Sequence, residues 1–172
     1  MKKTLVVLLG VLLGFWSAGA SATPGGTLVP DTTLEAAIEA VIGDDGVVGA
    51  VDTEWLVGTG AGYAGPADGL TILGLVNTGD GIEIAPLEGV ADLTGLEDAA
   101  NFQGLFTINS EVASYAPVAG LDSLIALGVI DGGFGDAQLA EVMAVSANLM
   151  VFFLGNLGGA TPNTMTQTGL AA

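Results

Sequence analysis

The sequence predicts an α/β solenoid: a short array of about four strand-bearing repeats, with a parallel sheet on the concave face and a cap helix at the N-terminal end. Three observations predict it. Apolar residues recur at one local spacing in four places. The copies follow one another at an interval that fits a strand and its return. A single well-delimited helical pattern precedes them.

The copies are Leu70-x-x-Leu73-x-Leu75-x-Asn77, Phe102-x-x-Leu105-x-Thr107-x-Asn109, Leu124-x-x-Leu127-x-Val129-x-Asp131 and Leu149-x-x-Phe152-x-Leu154-x-Asn156, at steps of 32, 22 and 25 residues. Between the second and third copies the agreement extends upstream. Val90, Leu93, Leu96 and Ala99 stand 22 residues before Val112, Tyr115, Val118 and Leu121. Periods of roughly 20–29 residues with this leucine spacing are the mark of a leucine-rich repeat. The fourth and sixth residues of each copy point the same way on a short strand and fill the interior. The Asn or Asp two residues later can bond backbone groups where the strand turns away. One repeat cannot bury its own apolar side, so stacking of copies makes the core.

Residues 1–22 read as a secretory signal: Lys2 and Lys3, an apolar stretch from Thr4 to Trp16, then the small-residue run to Ala22. Residues 23–30 (TPGGTLVP) are a linker by their Pro and Gly content. Residues 31–69 form the cap region, with a helix over 32–42. Thr32 and Glu35 have capping-box spacing, Asp31 adds favourable charge, and Leu34, Ile38, Val41 and Ile42 make one apolar stripe ended by Gly43. In residues 44–69 the anchor is Trp55-Leu56-Val57. Asp44-Asp45-Gly46 reads as a turn before a weak cation site, because no calcium-loop spacing comes after it. Repeats occupy 70–157, with Gln138–Ala147 as a helical return in which Leu139, Val142, Met143 and Ser146 share a stripe. Residues 158–172 form an uncharged, flexible tail. Val142–Ala160 lacks charge and could be weighed as a membrane span, but Asn148, Asn156, the glycines and the absence of flanking basic residues oppose it.

Composition narrows the chemistry. The only basic residues are Lys2 and Lys3, and the chain has no His or Cys; all 19 acids lie between Asp31 and Glu141. This leaves no imidazole, thiolate, amine or guanidinium beyond the signal for a triad, a Schiff base or phosphate binding. The expectation is a non-enzyme with no cofactor, no catalytic residues and no dedicated metal ligands. Nucleic acid is a poor partner without Lys or Arg, and an anionic membrane surface is disfavoured once the signal is cleaved. Divalent cations are permitted partners for weak binding through carboxylate oxygens.

The chain resembles the secreted bacterial leucine-rich repeat proteins of the internalin type, from about Val29 to Asn156. Val29-Pro30-Asp31 and Leu34-Glu35-Ala36-Ala37-Ile38 resemble the opening and cap helix of that family. Asp92-Leu93-Thr94-Gly95-Leu96-Glu97, Ala100-Asn101 and Ala116-Pro117-Val118-Ala119-Gly120-Leu121 resemble its inter-strand phrases. The resemblance implies a protein that is secreted, held at the cell surface or periplasmic. Two departures stand out. The family Asn usually falls one position later, where this chain has Thr78, Ser110, Gly132 and Leu157, and the first repeat has about ten extra residues.

In such a solenoid the strand residues that do not point inward line the concave face, and here none is charged. Ile72, Val76, Phe106, Ile108, Ile130, Val151 and Phe153 are the expected partner-binding residues, with the two phenylalanines as anchors. The expected partner is an extracellular protein, or a second copy through self-association. The alternatives are a structural, self-assembling acidic repeat protein, cation-dependent or not, and a carboxylate-only glycoside hydrolase, for which no sequence feature selects the required pair of acids.

Overall fold

The computed structural model of the chain describes residues 26–77, 82–145 and 148–166. The expected signal at 1–22, the start of the linker, Thr78, Ser146 and residues 167–172 lie outside the described residues.

β1 (Gly26–Leu28) leads into α1 (Thr32–Ile42), and β2 (Ala50–Asp52) returns antiparallel to β1, followed by the single turn α2 (Thr53–Leu56). Leu34, Ile38 and Ile42 are buried along one side of α1, while Val41, expected in that stripe, is 38% exposed on its flank. The N-cap is Asp31, not Thr32: its Oδ1 accepts the Thr33 and Leu34 N–H groups. Glu35 does not turn back to the cap. Its carboxylate accepts the Gly49 N–H and ties α1 to the approach of β2. The Asp44-Asp45-Gly46 turn forms as Asp44 accepts the Gly46 N–H and Asp45 the Val47 N–H. Trp55 is buried and meets Tyr63 edge to face, ring centroids 5.6 Å apart.

The repeats contain β3 (Ile72–Leu73), β4 (Leu75–Asn77), β5 (Ile82–Ile84), β6 (Leu87–Glu88), β7 (Gly104–Ile108), α3 (Ala116–Ala119), β8 (Ala126–Ile130), α4 (Asp136–Val145) and β9 (Val151–Gly155). β3, β7, β8 and β9 form a parallel sheet in that order, with β6 also beside β7. Register follows the repeat: Leu105, Leu127 and Phe152 are neighbours across the sheet, as are Thr107, Val129 and Leu154. Leu105, Leu127, Thr107 and Val129 are fully buried; Phe152 and Leu154, on the last strand, are partly so. Opposite the sheet, Val90, Leu93, Leu96 and Ala99 stack against Val112, Tyr115 and Val118, and the Ala113 N–H bonds the Ala91 carbonyl at the same 22-residue offset. Leu139 and Val142 of α4 are buried, but Met143 turns outward. Asn109 and Asp131, at matching repeat positions, both have φ of +47°. These residue types tolerate the left-handed region, so the same substitution pattern ends both strands.

The first copy is not one strand. β3 pairs with Gly104 and Leu105; the chain then leaves the sheet, forms the antiparallel β4–β5 hairpin, and returns as β6 to pair with Thr107 and Ile108. The surplus length of this repeat is therefore a hairpin inserted in mid-strand. Leu87 takes the register expected for Leu75, while Leu75, Val76 and Asn77 belong to the hairpin. The exit is at Gly74, where φ is +84° and a Cβ would run into the main chain of Phe106. Only glycine fits that turn.

The described part of the expected flexible tail, residues 158–166, is bonded to the last repeat. Residues 157–166 run parallel to residues 131–136. The Gly133 N–H bonds the Thr161 carbonyl, the Thr164 N–H bonds that of Phe134, and Asp136 accepts both the N–H and hydroxyl of Thr166. Asn163 fastens this segment: its Oδ1 accepts from Gly132 and Phe134, and its Nδ2 donates to Val129 and Gly155 carbonyls.

Candidate binding face

Alternation along β7, β8 and β9 decides which side chains leave the core. Phe106 and Ile108 lie outside on β7, Ile130 on β8, and Val151 and Phe153 on β9, with Ile72 on β3 beside them. Ile72, Phe106, Ile108 and Ile130 are half-buried; Val151 and Phe153 are about half exposed, at 51% and 47%. Six of the seven expected binding residues thus share one sheet face. Val76 does not, because its strand has left the sheet for the hairpin.

Glycines shape this face, a role the residue pattern alone did not reveal. Gly128 is the cross-strand neighbour of both Phe106 and Phe153. The Phe106 ring lies over it, and any Cβ at Gly128 would overlap that ring. At Gly155 an added Cβ would stand 3.1 Å from the Phe153 ring and 3.4 Å from Ile130. Small residues beneath large ones let the aromatic rings lie down on the sheet. Met150 and Leu157, 83% and 76% exposed, extend the apolar surface past both ends of β9. The signal that could have found them is the absence of any charge after Glu141.

Charge rims this face and enters it at one place, Glu88, which β6 sets beside Ile108 on the same side of the sheet. Glu83 and Glu88 are exposed on the hairpin side, and Asp122 is exposed just before β8. An open hollow of about 550 Å³ lies at the N-terminal ends of β7, β8 and β9, where Gln103, Ser123, Asn148 and Met150 meet. Among the described residues Asp122 is the one acid lining it.

A second acidic group lies in the cap. Carboxylate oxygens of Glu39, Asp44 and Asp45 fall within 4.8 Å of one another. Both Asp45 oxygens already accept N–H groups, from Val47 and Asp52. Burial, then the charges of Asp44, Glu35 and Asp45, push the Glu39 carboxyl up to about 7. A raised carboxyl favours the fold most below its unfolded value and loses that contribution as pH rises through about 7. Glu39→Gln is therefore expected to raise Tm by a few degrees at pH 8, where solvent screening keeps the effect small, and to make no difference near pH 4. Thermal melts of both proteins across this range check it; equal Tm values at pH 8 would show that the repulsion is absent.

No protein-family model matches the sequence, and no curated protein matches it. Among solved structures, an internalin C2 from Listeria monocytogenes strain 4b F2365 superposes with a TM-score of 0.54 at 19% identity. The fold is internalin-like. The match covers 88% of this chain and 66% of that one, so the chain spans just under two thirds of the length of the internalin C2 chain. At this identity the likeness is one of fold, of the leucine-rich repeat type. Among the described residues, no helix of the internalin-like chain is long and apolar enough to cross a membrane.

Proposed function

We propose that the chain is a non-enzymatic binding module, working outside the cell, that holds a protein partner on the outer face of its repeat sheet. The observation that carries this reading is the apolar run from Ile72 through Phe106, Ile108 and Ile130 to Val151 and Phe153, with Phe106 and Phe153 as anchors and Glu88 at its border beside Ile108. The repeat fold supports it, since an array of strands presents an extended surface suited to proteins. The surrounding acids, unopposed by any base beyond residue 22, favour a partner with an apolar centre rimmed by Lys or Arg. The signal-like N-terminal residues support a place outside the cell.

The test is retention of a panel of purified extracellular proteins on the immobilised chain, compared with Phe106→Asp and with Ala36→Asp, which adds the same charge to an exposed position of α1. A partner of this face is expected to lose about a hundredfold in affinity against Phe106→Asp and almost nothing against Ala36→Asp. Equal loss with both variants would mean that net charge, not this face, governs binding. Equal retention on all three would place the interaction elsewhere.

A further inference from the structure

We propose that β9 is the dimer interface of this protein: the β9 edges of two copies pair antiparallel about a two-fold axis at Phe153. This rests on the edge and not on the binding reading above. Among the described residues β9 pairs with β8 alone, which leaves its other edge open. The Val151 N–H bonds the Ile125 carbonyl, and the Gly155 carbonyl accepts the Asp131 N–H. Main-chain groups of Val151, Phe153 and Gly155 therefore face β8. By alternation those of Phe152 and Leu154 point away from the sheet.

That spacing suits an antiparallel copy. With Phe153 opposite its own symmetry mate, Phe152 faces the partner's Leu154, and each such pair can exchange both main-chain bonds. The two Phe153 rings meet across the axis on one face of the joined sheet. On the other face Phe152 and Leu154, only partly buried in one copy, gain the cover that their equivalents in inner strands already have. Met150 and Leu157, the most exposed apolar residues flanking the strand, lie on either side of the contact.

Charge selects the occupant and the geometry. Every acid in the sequence lies at or before Glu141, so β9 and the residues after it are an uncharged stretch beside a strongly negative one. Two copies meeting there keep their acidic parts far apart. A head-to-tail array would instead set β9 against the opposite edge of the sheet, where the strand is broken at Gly74 and Glu88 is exposed. That edge offers no continuous strand to pair with.

The experiment is light scattering on a sizing column across a concentration range, at about 0.05 and 0.5 M salt. The purified chain is expected to shift from one to two chain masses with concentration, and to do so more readily at high salt, since screening removes repulsion and no ion pair is lost. Phe153→Asp, which places two like charges on the axis, is expected to weaken association by at least about tenfold with unchanged circular dichroism. A monomer at every concentration, a dimer unaffected by Phe153→Asp, or species growing beyond two copies would each overturn the proposal. If Phe153→Asp fails to fold, hydrogen exchange on the unaltered chain decides. Protection of the Phe152 and Leu154 amides that rises with concentration supports it, and concentration-independent exchange overturns it.

Discussion

Replacing Asn163 with alanine is expected to cost about 3 kcal/mol of stability and to release the C-terminal segment from the last repeat. The side chain makes four hydrogen bonds, all between 2.9 and 3.0 Å: it accepts from Gly132 and Phe134 and donates to the carbonyls of Val129 and Gly155. It thereby joins the ends of β8 and β9 to the segment that packs on both. Its own main chain is held in turn by Asn156, whose amide accepts from the Asn163 N–H and donates to its carbonyl. An alanine leaves buried main-chain groups without partners, which is the costly case. Asn163→Asp separates the two halves of the site. The carboxylate keeps its two N–H donors but faces two carbonyls, so the loss should be at least as large at neutral pH and should lessen as pH falls and the acid can donate. Urea melts measure the loss, and hydrogen exchange at Gly132 and Phe134 locates it. A change under 1 kcal/mol would mean that the segment adheres by other contacts.

The second large effect is expected at Asp31. One carboxylate oxygen caps α1, while the other accepts the N–H groups of Ala91 and Asp92, at 2.7 and 3.1 Å, some sixty residues along the chain. Asp31→Ala should cost about 2 kcal/mol, losing both the cap and the tie to the return segment of the first repeat. Asp31→Asn should cost about half of that, because its carbonyl can still cap the helix while its NH₂ turns a donor toward two donors. Burial alone raises this carboxyl, but the N–H groups of Ala91, Leu34, Asp92 and Thr33 outweigh it and hold it below the ordinary value of 3.8. The folded value being the lower one, the contribution is complete above the unfolded value and is lost as pH falls through the depressed one. Asp31→Asn should remove that part of the acid transition. Wild-type and variant curves that stay parallel below pH 4 would show that the tie contributes nothing.

Much of the fold was legible in the sequence because repetition reports on packing directly. Leu105, Leu127 and Phe152 had to be equivalent, since each fills the same place in successive turns. The first copy misled for the same reason. Leu75 and Asn77 match the repeat by spacing, but spacing cannot show that the chain has left the sheet at Gly74 and that Leu87 has taken the place. Capping took a similar course: Thr32 and Glu35 had the right separation, yet Asp31 was one residue better placed to accept from the first turn. The apolar face was readable as the positions left over by the core. Its relief was not, because the fit of Phe106 over Gly128 depends on which residues are neighbours across strands. Composition also said little about residues 158–166. Small polar residues suggest a free segment, and only the register of Asn163 with Val129 and Gly155 shows otherwise.

The broken first strand has a consequence for how the molecule assembles. β3 and β6 are two residues each, and both find their sheet partner in β7 alone. Neither is long enough to hold a sheet unaided. As the chain leaves the ribosome the first turn of the solenoid is complete in sequence before residues 104–108 exist to close it. The N-terminal end of the sheet is therefore expected to be a poor seed for the array. Nucleation is expected where β7, β8 and β9 match residue for residue over their full length, with order spreading from there to the first turn; φ-values higher for Leu127→Ala than for Leu73→Ala would bear this out and the reverse would overturn it.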